Sequence, residues 1–228
     1  MAEQQRNKWK QDPEAVRADI LRVATDEFAR AGLAGARMDE IAARTRTSKR
    51  MIYYYFGDKE GLYRAVLEQA YRGMRLGEQE LALDSLPPEK ALRALVIYSF
   101  DHHWENGDFI RLVMTENMHE GAYMEMSDEI RALNASAIDR VRQLYDRGRA
   151  GGVFRDGIDP LKLHWLISGL SFFYRSNSAT FGLLFGQELF DEAGREAVRQ
   201  EVVEAVMRYV LARSPGAERG AGEAPSSH

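Results

Sequence analysis

Apolar residues recur along this chain at intervals of three and four, and no stretch sustains strict alternation, so the pattern predicts an all-α protein without strands. Val16, Ile20, Val23, Ala24, Phe28 and Ala31 mark one face of a first helix. Asp12-Pro13-Glu14 supplies a cap and a proline at the first helical position, and Gly32 ends the run. Met38, Ile41 and Ala42 give a short second helix one apolar face, with Asp39 and Glu40 at its positive end. That helix ends near Arg44 or Thr45, and Thr47 or Ser48 offers a hydroxyl to cap the next, which begins at Lys49. Ile52 and Phe56 then face inward, Gly57 stops the helix, and Asp58 caps another that runs from Lys59 to about Glu80. Leu86-Pro87-Pro88 breaks the chain. Helical patterns follow at about 88–105, 108–118, 127–149, 159–177 and 191–213, separated by glycine-bearing breaks.

The segment from Met38 to Tyr63 carries the most chemistry. With Ile52 and Phe56 turned in, Lys49, Arg50, Tyr53 and Tyr54 turn out. Lys and Arg neutralise phosphates, and either can read the acceptor edge of guanine. Tyrosine hydroxyls bond phosphate oxygens, and tyrosine rings pack against thymine methyls. Two short helices joined by a tight turn, the second crowded with such residues, is how a helix enters the DNA major groove.

The pairs Ile41-Ala42, Ser48-Lys49, Ile52-Tyr53, Tyr55-Phe56, Lys59-Glu60 and Leu62-Tyr63 stand at the spacing found in the DNA-binding domain of the tetracycline-repressor (TetR) family. This stretch closely resembles that domain, and the resemblance covers about the first third of the chain. It implies a three-helix helix-turn-helix head on a helical body. It also implies a dimer on a palindromic operator and release by a small-molecule effector. Carried onto this sequence, Lys49, Arg50 and Tyr53 are expected at or near the bases. Ser48, Tyr54, Tyr55 and Lys59 are expected at phosphates. There are two departures. Arg46 stands where the turn usually has glycine, so either the turn takes another shape or Arg46 tolerates a strained backbone and adds a positive charge. Arg50 stands where a small residue is common, and its bidentate fork suggests a guanine in each half-site.

Charge supports this division. The chain has a net charge of −4, but residues 1–65 hold 13 basic and 10 acidic side chains, leaving 18 basic and 25 acidic beyond. A mildly basic head therefore carries an acidic body, and the local charge is what DNA meets. The expected organisation is a flexible arm at 1–11, a helix-turn-helix domain at 12–57, a ligand-binding and dimerisation domain at 58–213, and a disordered, low-complexity tail at 214–228. Without cysteine, disulfides and thiol-based metal or redox chemistry are excluded. The N-terminus lacks an apolar signal core and no run is long enough to span a membrane, so a cytoplasmic protein is expected.

In the body, aromatic and polar groups cluster around Tyr98–Trp104, Met114–His119 and His164–Arg175. Phe100, His102, Trp104, Asn117, Met118, Trp165, Phe172 and Arg175 are the expected lining of an effector pocket. Arg175 is expected to hold a carboxylate, which suggests an aromatic acid, while Asp101, Glu105 and Glu116 keep a cationic ligand open. Leu161, Leu166, Leu170, Phe173 and Phe181, with Val202, Val206, Tyr209 and Val210, are expected to meet a second copy. No catalytic residue and no cofactor is expected. The histidines lack HExxH spacing, Gly169-Leu170-Ser171 lacks the second glycine of a nucleophile elbow, and no phosphate loop is present. The alternative to a ligand-controlled regulator is an architectural DNA-binding protein, which rarely needs so large an acidic body.

Overall fold

The computed structural model describes residues 12–212. The arm at 1–11 and the tail at 214–228 lie outside them. Eleven α-helices and one 3₁₀ turn account for nearly all of the described chain. They are α1 (Pro13–Gly35), α2 (Met38–Arg44), α3 (Lys49–Phe56), α4 (Lys59–Glu80), α5 (Pro88–Glu105), α6 (Gly107–Met118), α7 (Ala122–Glu125), α8 (Asp128–Ala150), α9 (Pro160–Ser176), α10 (Ser178–Phe185) and α11 (Glu192–Val210). Extended pairing among the described residues is limited to one antiparallel bridge, Phe154 with Leu211. The fold is all-α, as the periodicity predicts.

The helix starts obey local chemistry. Asp12 accepts from the Ala15 amide at 3.1 Å, Asp58 from Gly61 at 2.6 Å and Asp191 from Gly194 at 2.8 Å, so each caps an otherwise orphaned donor. Of the two hydroxyls that could cap α3, Ser48 does so, accepting from Met51. Gly32, at φ 66, breaks the regular course of α1 where its apolar stripe ends, and Gly57, at φ 79, closes α3. The apolar pattern left α7 and α10 unannounced. The first is only four residues long, and Ser178–Phe185 is apolar on every side and so has no stripe to read.

Two apolar cores organise the chain. The first unites α1 to α3 with α4 and extends to Phe109, Ile110 and Leu112 of α6. α1 packs against both α4 and α6. The head is therefore mounted on the body through a continuous apolar contact that crosses residue 57. The second core gathers α5, α8, α9 and α11 around Leu92, Phe100, Leu163, Ile167 and Val206. Between the cores, α4 also packs against α8. Arg72 pairs with Glu129, and Ser127 donates to Glu68 at 2.7 Å. α4 therefore contacts both the head and the body.

Candidate nucleic-acid interface and body cavity

The head presents α3 on its surface. Ile52 is fully buried and Phe56 half-buried, which anchors the helix to the first core. Arg50, Tyr53 and Tyr54 face solvent. Tyr54 is 77% exposed, whereas Tyr55 is half-buried, packed against the core and edge-on to Tyr54 at 5.4 Å between centroids. Position 46 resolves the first departure: among the described residues only Ala82 and Glu120 combine positive φ with a side chain, so Arg46 is not strained. The turn takes another shape. Thr45 is extended, and the Arg46 amide donates to Asp19 on α1 at 3.1 Å. Two expected contact residues are already engaged. Lys49 donates to Asp39 at 2.8 Å, which holds the carboxyl of Asp39 below the usual range and the ammonium of Lys49 above its own. Lys59 reaches the Ala34 carbonyl at 3.4 Å.

In the body, a cavity of about 280 Å³ lies among α4, α5, α6, α8 and α9. Tyr71, Met74, Phe109, Val113, Phe172 and Trp165 form its apolar walls. Arg75, His103, Asn117, Asn134, His164 and Ser168 supply its polar groups. Few placed polar groups in an apolar enclosure is the usual make-up of a small-molecule site. Arg75 is almost wholly buried; it pairs with Glu78 and donates to Asn134 at 2.7 Å. His103 is 3% exposed and lies parallel to the Phe109 ring at 5.9 Å. Burial, with the fields of His102, Arg75 and His164, pushes its pKa down to about 3. Burial and Arg75 likewise lower His164 and His102 to about 4 each. All three imidazoles are thus neutral at pH 7 and can each donate or accept a hydrogen bond.

The description "Bacterial regulatory proteins, tetR family" matches residues 20–66, and "Tetracyclin repressor-like, C-terminal domain" matches residues 88–206. The chain belongs to the TetR family of transcriptional regulators. It is 35% identical over 185 residues to the HTH-type transcriptional repressor NicS of Pseudomonas putida, spanning 81% of this chain and 87% of that protein. It is 30% identical over 200 residues to the HTH-type transcriptional repressor SCO4008 of Streptomyces coelicolor, spanning 87% and 97% respectively. The crystal structure of SCO4942 from Streptomyces coelicolor superposes with a TM-score of 0.65 at 27% identity, covering 86% of this chain and 98% of that one. The chain is therefore a DNA-binding transcriptional regulator with a TetR head at its N-terminus.

Within this TetR fold the expected pocket residues divide. Asn117, Trp165 and Phe172 line the cavity. Phe100, His102, Trp104, Met118 and Arg175 are not among the residues that line it. Phe100 is a core residue stacked on Tyr174 at 5.0 Å. His102 turns toward Tyr98, one helical position away from the cavity-facing His103. Met118, 80% exposed, faces solvent. Arg175 lies over the Trp104 ring of α5 at 5.1 Å and donates to Ser178 at 3.2 Å; its buried Nε has no acceptor among the described residues, but neither residue lines the cavity. The acids Asp101, Glu105 and Glu116, which would have favoured a cation, are not in the lining either. Asp101 accepts from Arg199 at 2.9 Å, and buried Glu116 accepts from the Tyr123 and Met124 amides at 3.2 and 3.1 Å.

Arg75, His103, Asn134 and His164 were not singled out as cavity residues from the sequence. The usable signal was an arginine on the apolar face of α4, where a charged group needs a partner.

The expected dimer face also divides. Val202, Val206 and Val210 are buried inside the chain, in the second core, so the apolar stripe of α11 serves the monomer. Leu161, Trp165 and Phe173 on α9, at 57, 73 and 57% exposure, remain uncovered, as do Leu183, Leu184 and Phe185 on α10.

Proposed function

We propose that this regulator acts as a dimeric repressor that binds a palindromic operator and leaves it when a small molecule fills the cavity between α4, α5, α6, α8 and α9. The observation that carries the reading is the position of α4: its first turn abuts the recognition helix, and Tyr71, Met74 and Arg75 farther along it line the cavity. A ligand that prefers a shifted α4 lowers operator affinity by its preference for that state. Arg50 and Tyr53 are the base-reading residues, with Lys49 beside them once its bond to Asp39 opens. Arg46, Ser48, Tyr54, Tyr55 and Lys59 position the head on phosphates. The uncovered apolar residues of α9 and α10 support pairing of two copies, since contiguous exposed apolar surface of this kind marks association sites. The matched repressors lend the sign of regulation.

The test is selection of bound fragments from random duplex DNA by the full-length protein. A short inverted repeat is expected. Sequence-independent retention would instead support an architectural role, and would remove the operator reading.

A further inference from the structure

The charge around the cavity is not balanced. Glu78, 6% exposed, is paired with Arg75, and Arg140 stands 3.8 Å from its other oxygen. Behind the cavity wall, partly exposed Arg140 and buried Arg75 thus share one carboxylate, two guanidiniums to one acid, and only Arg75 of the three reaches the lining. Burial raises the Glu78 pKa against the pull of both arginines, and protonation would only enlarge the excess. The neighbouring histidines are neutral and do not offset it.

Unused donors accompany the charge. Arg75 gives Nη1 to Glu78 and Nη2 to Asn134, but its buried Nε has no acceptor among the described residues. The buried Nδ1 of His103 likewise has no partner. Buried polar groups are ordinarily satisfied, and an unsatisfied donor on a cavity wall marks where a ligand acceptor belongs. Among the described residues no carboxylate lines the cavity, so a cationic ligand would find no counter-charge on its walls. Phe109 and Phe172 with Trp165 favour a flat ring, and the volume lies at the small end of ligand sites.

We propose that the cavity takes a small planar aromatic monocarboxylate, its carboxylate at Arg75 and its ring against Phe109, Phe172 and Trp165. Asn117, His103 and His164 are left to bond a ring substituent. This rests on the reading of the cavity as the effector site. It assigns the anion to Arg75, not to Arg175, and makes acid over amide the discriminating property of the ligand.

The full-length protein is titrated calorimetrically with benzoate and its 3- and 4-hydroxy derivatives, with the matching benzamides, and with benzamidine. Each compound is also tested for release of the selected operator. The acids are expected to bind at least about tenfold more tightly than their amides, the scale of one charge-assisted hydrogen bond. In Arg75→Gln that preference should collapse toward unity. Should that variant fail to fold, Glu78→Gln, which removes the competing carboxylate, should tighten the acids further. Equal binding of acid and amide, or a preference untouched by these substitutions, overturns the proposal. An amide or benzamidine that binds and releases DNA at concentrations as low as the matching acid overturns the monocarboxylate while leaving small-molecule control standing. Failure of all three series to bind removes the proposal and counts against effector control at this cavity.

Discussion

Lys49 on the recognition helix holds Asp39 on the preceding helix, Nζ to Oδ1 at 2.8 Å. A cation facing DNA is thereby tethered by a carboxylate from its own head. Exposed pairs of this kind contribute little to stability, so the pair bears on DNA more than on the fold. Asp39→Asn should free Lys49 for a phosphate or base. Operator affinity should rise, and the slope of log affinity against log salt should steepen by roughly one. Unchanged affinity and slope, measured by titration at several salt concentrations, would mean that Lys49 does not meet DNA.

Arg50 is exposed and makes no ion pair among the described residues. Arg50→Ala should cost about 1–3 kcal/mol on the operator and relax selection at one base pair per half-site. Fragment selection with the variant is the check. The same consensus at lower affinity would move Arg50 to the phosphate backbone.

Phe173 stands out from α9 at 57% exposure, in edge contact with Phe181 of α10 at 6.3 Å. Phe173→Asp leaves the second core intact but sets a charge in the proposed seam. Light scattering should show monomers where the parent forms dimers, with a nearly unaltered thermal transition at high dilution. Operator binding should weaken sharply, since half-sites are then bound one at a time. A variant that remains dimeric would place the seam elsewhere.

His103 ties stability to acid. Its pKa falls from 6.5 to about 3 on folding, so above pH 6.5 it has no effect. Below pH 6.5 the unfolded chain takes up a proton that the folded chain refuses, and stability is lost as pH falls toward 3. By pH 5 this one residue should cost about 2 kcal/mol. His164 and His102, lowered to about 4, act in the same sense. Denaturant unfolding at pH 7 and pH 5 measures the loss, and His103→Gln should make it smaller. An identical loss in the variant would assign the acid sensitivity to other groups.

The sequence by itself determined the head and nine of the eleven helices among the described residues. Caps at Asp12, Ser48, Asp58 and Asp191, and glycines at 32 and 57, act on backbone donors within a few residues, so their effects can be read in order along the chain. The outward set Arg50, Tyr53 and Tyr54 followed from helical spacing around Ile52.

The cavity did not follow, because it is lined by five helices from distant parts of the chain, and spacing within one helix cannot say which partner its face meets. His102 and His103 are adjacent in sequence, yet only the second lines the cavity. Arg75 and Arg175 are both arginines on partly apolar helices, and only packing decides that one is walled in beside Asn134 while the other lies over Trp104. The valines of α11 show the same limit. Their apolar stripe suits a second copy as well as it suits α5, and the tertiary fold gives it to α5. Local hydrogen bonds and periodicity determine which elements form, whereas burial of one apolar face against another is a choice among surfaces that only the folded chain makes.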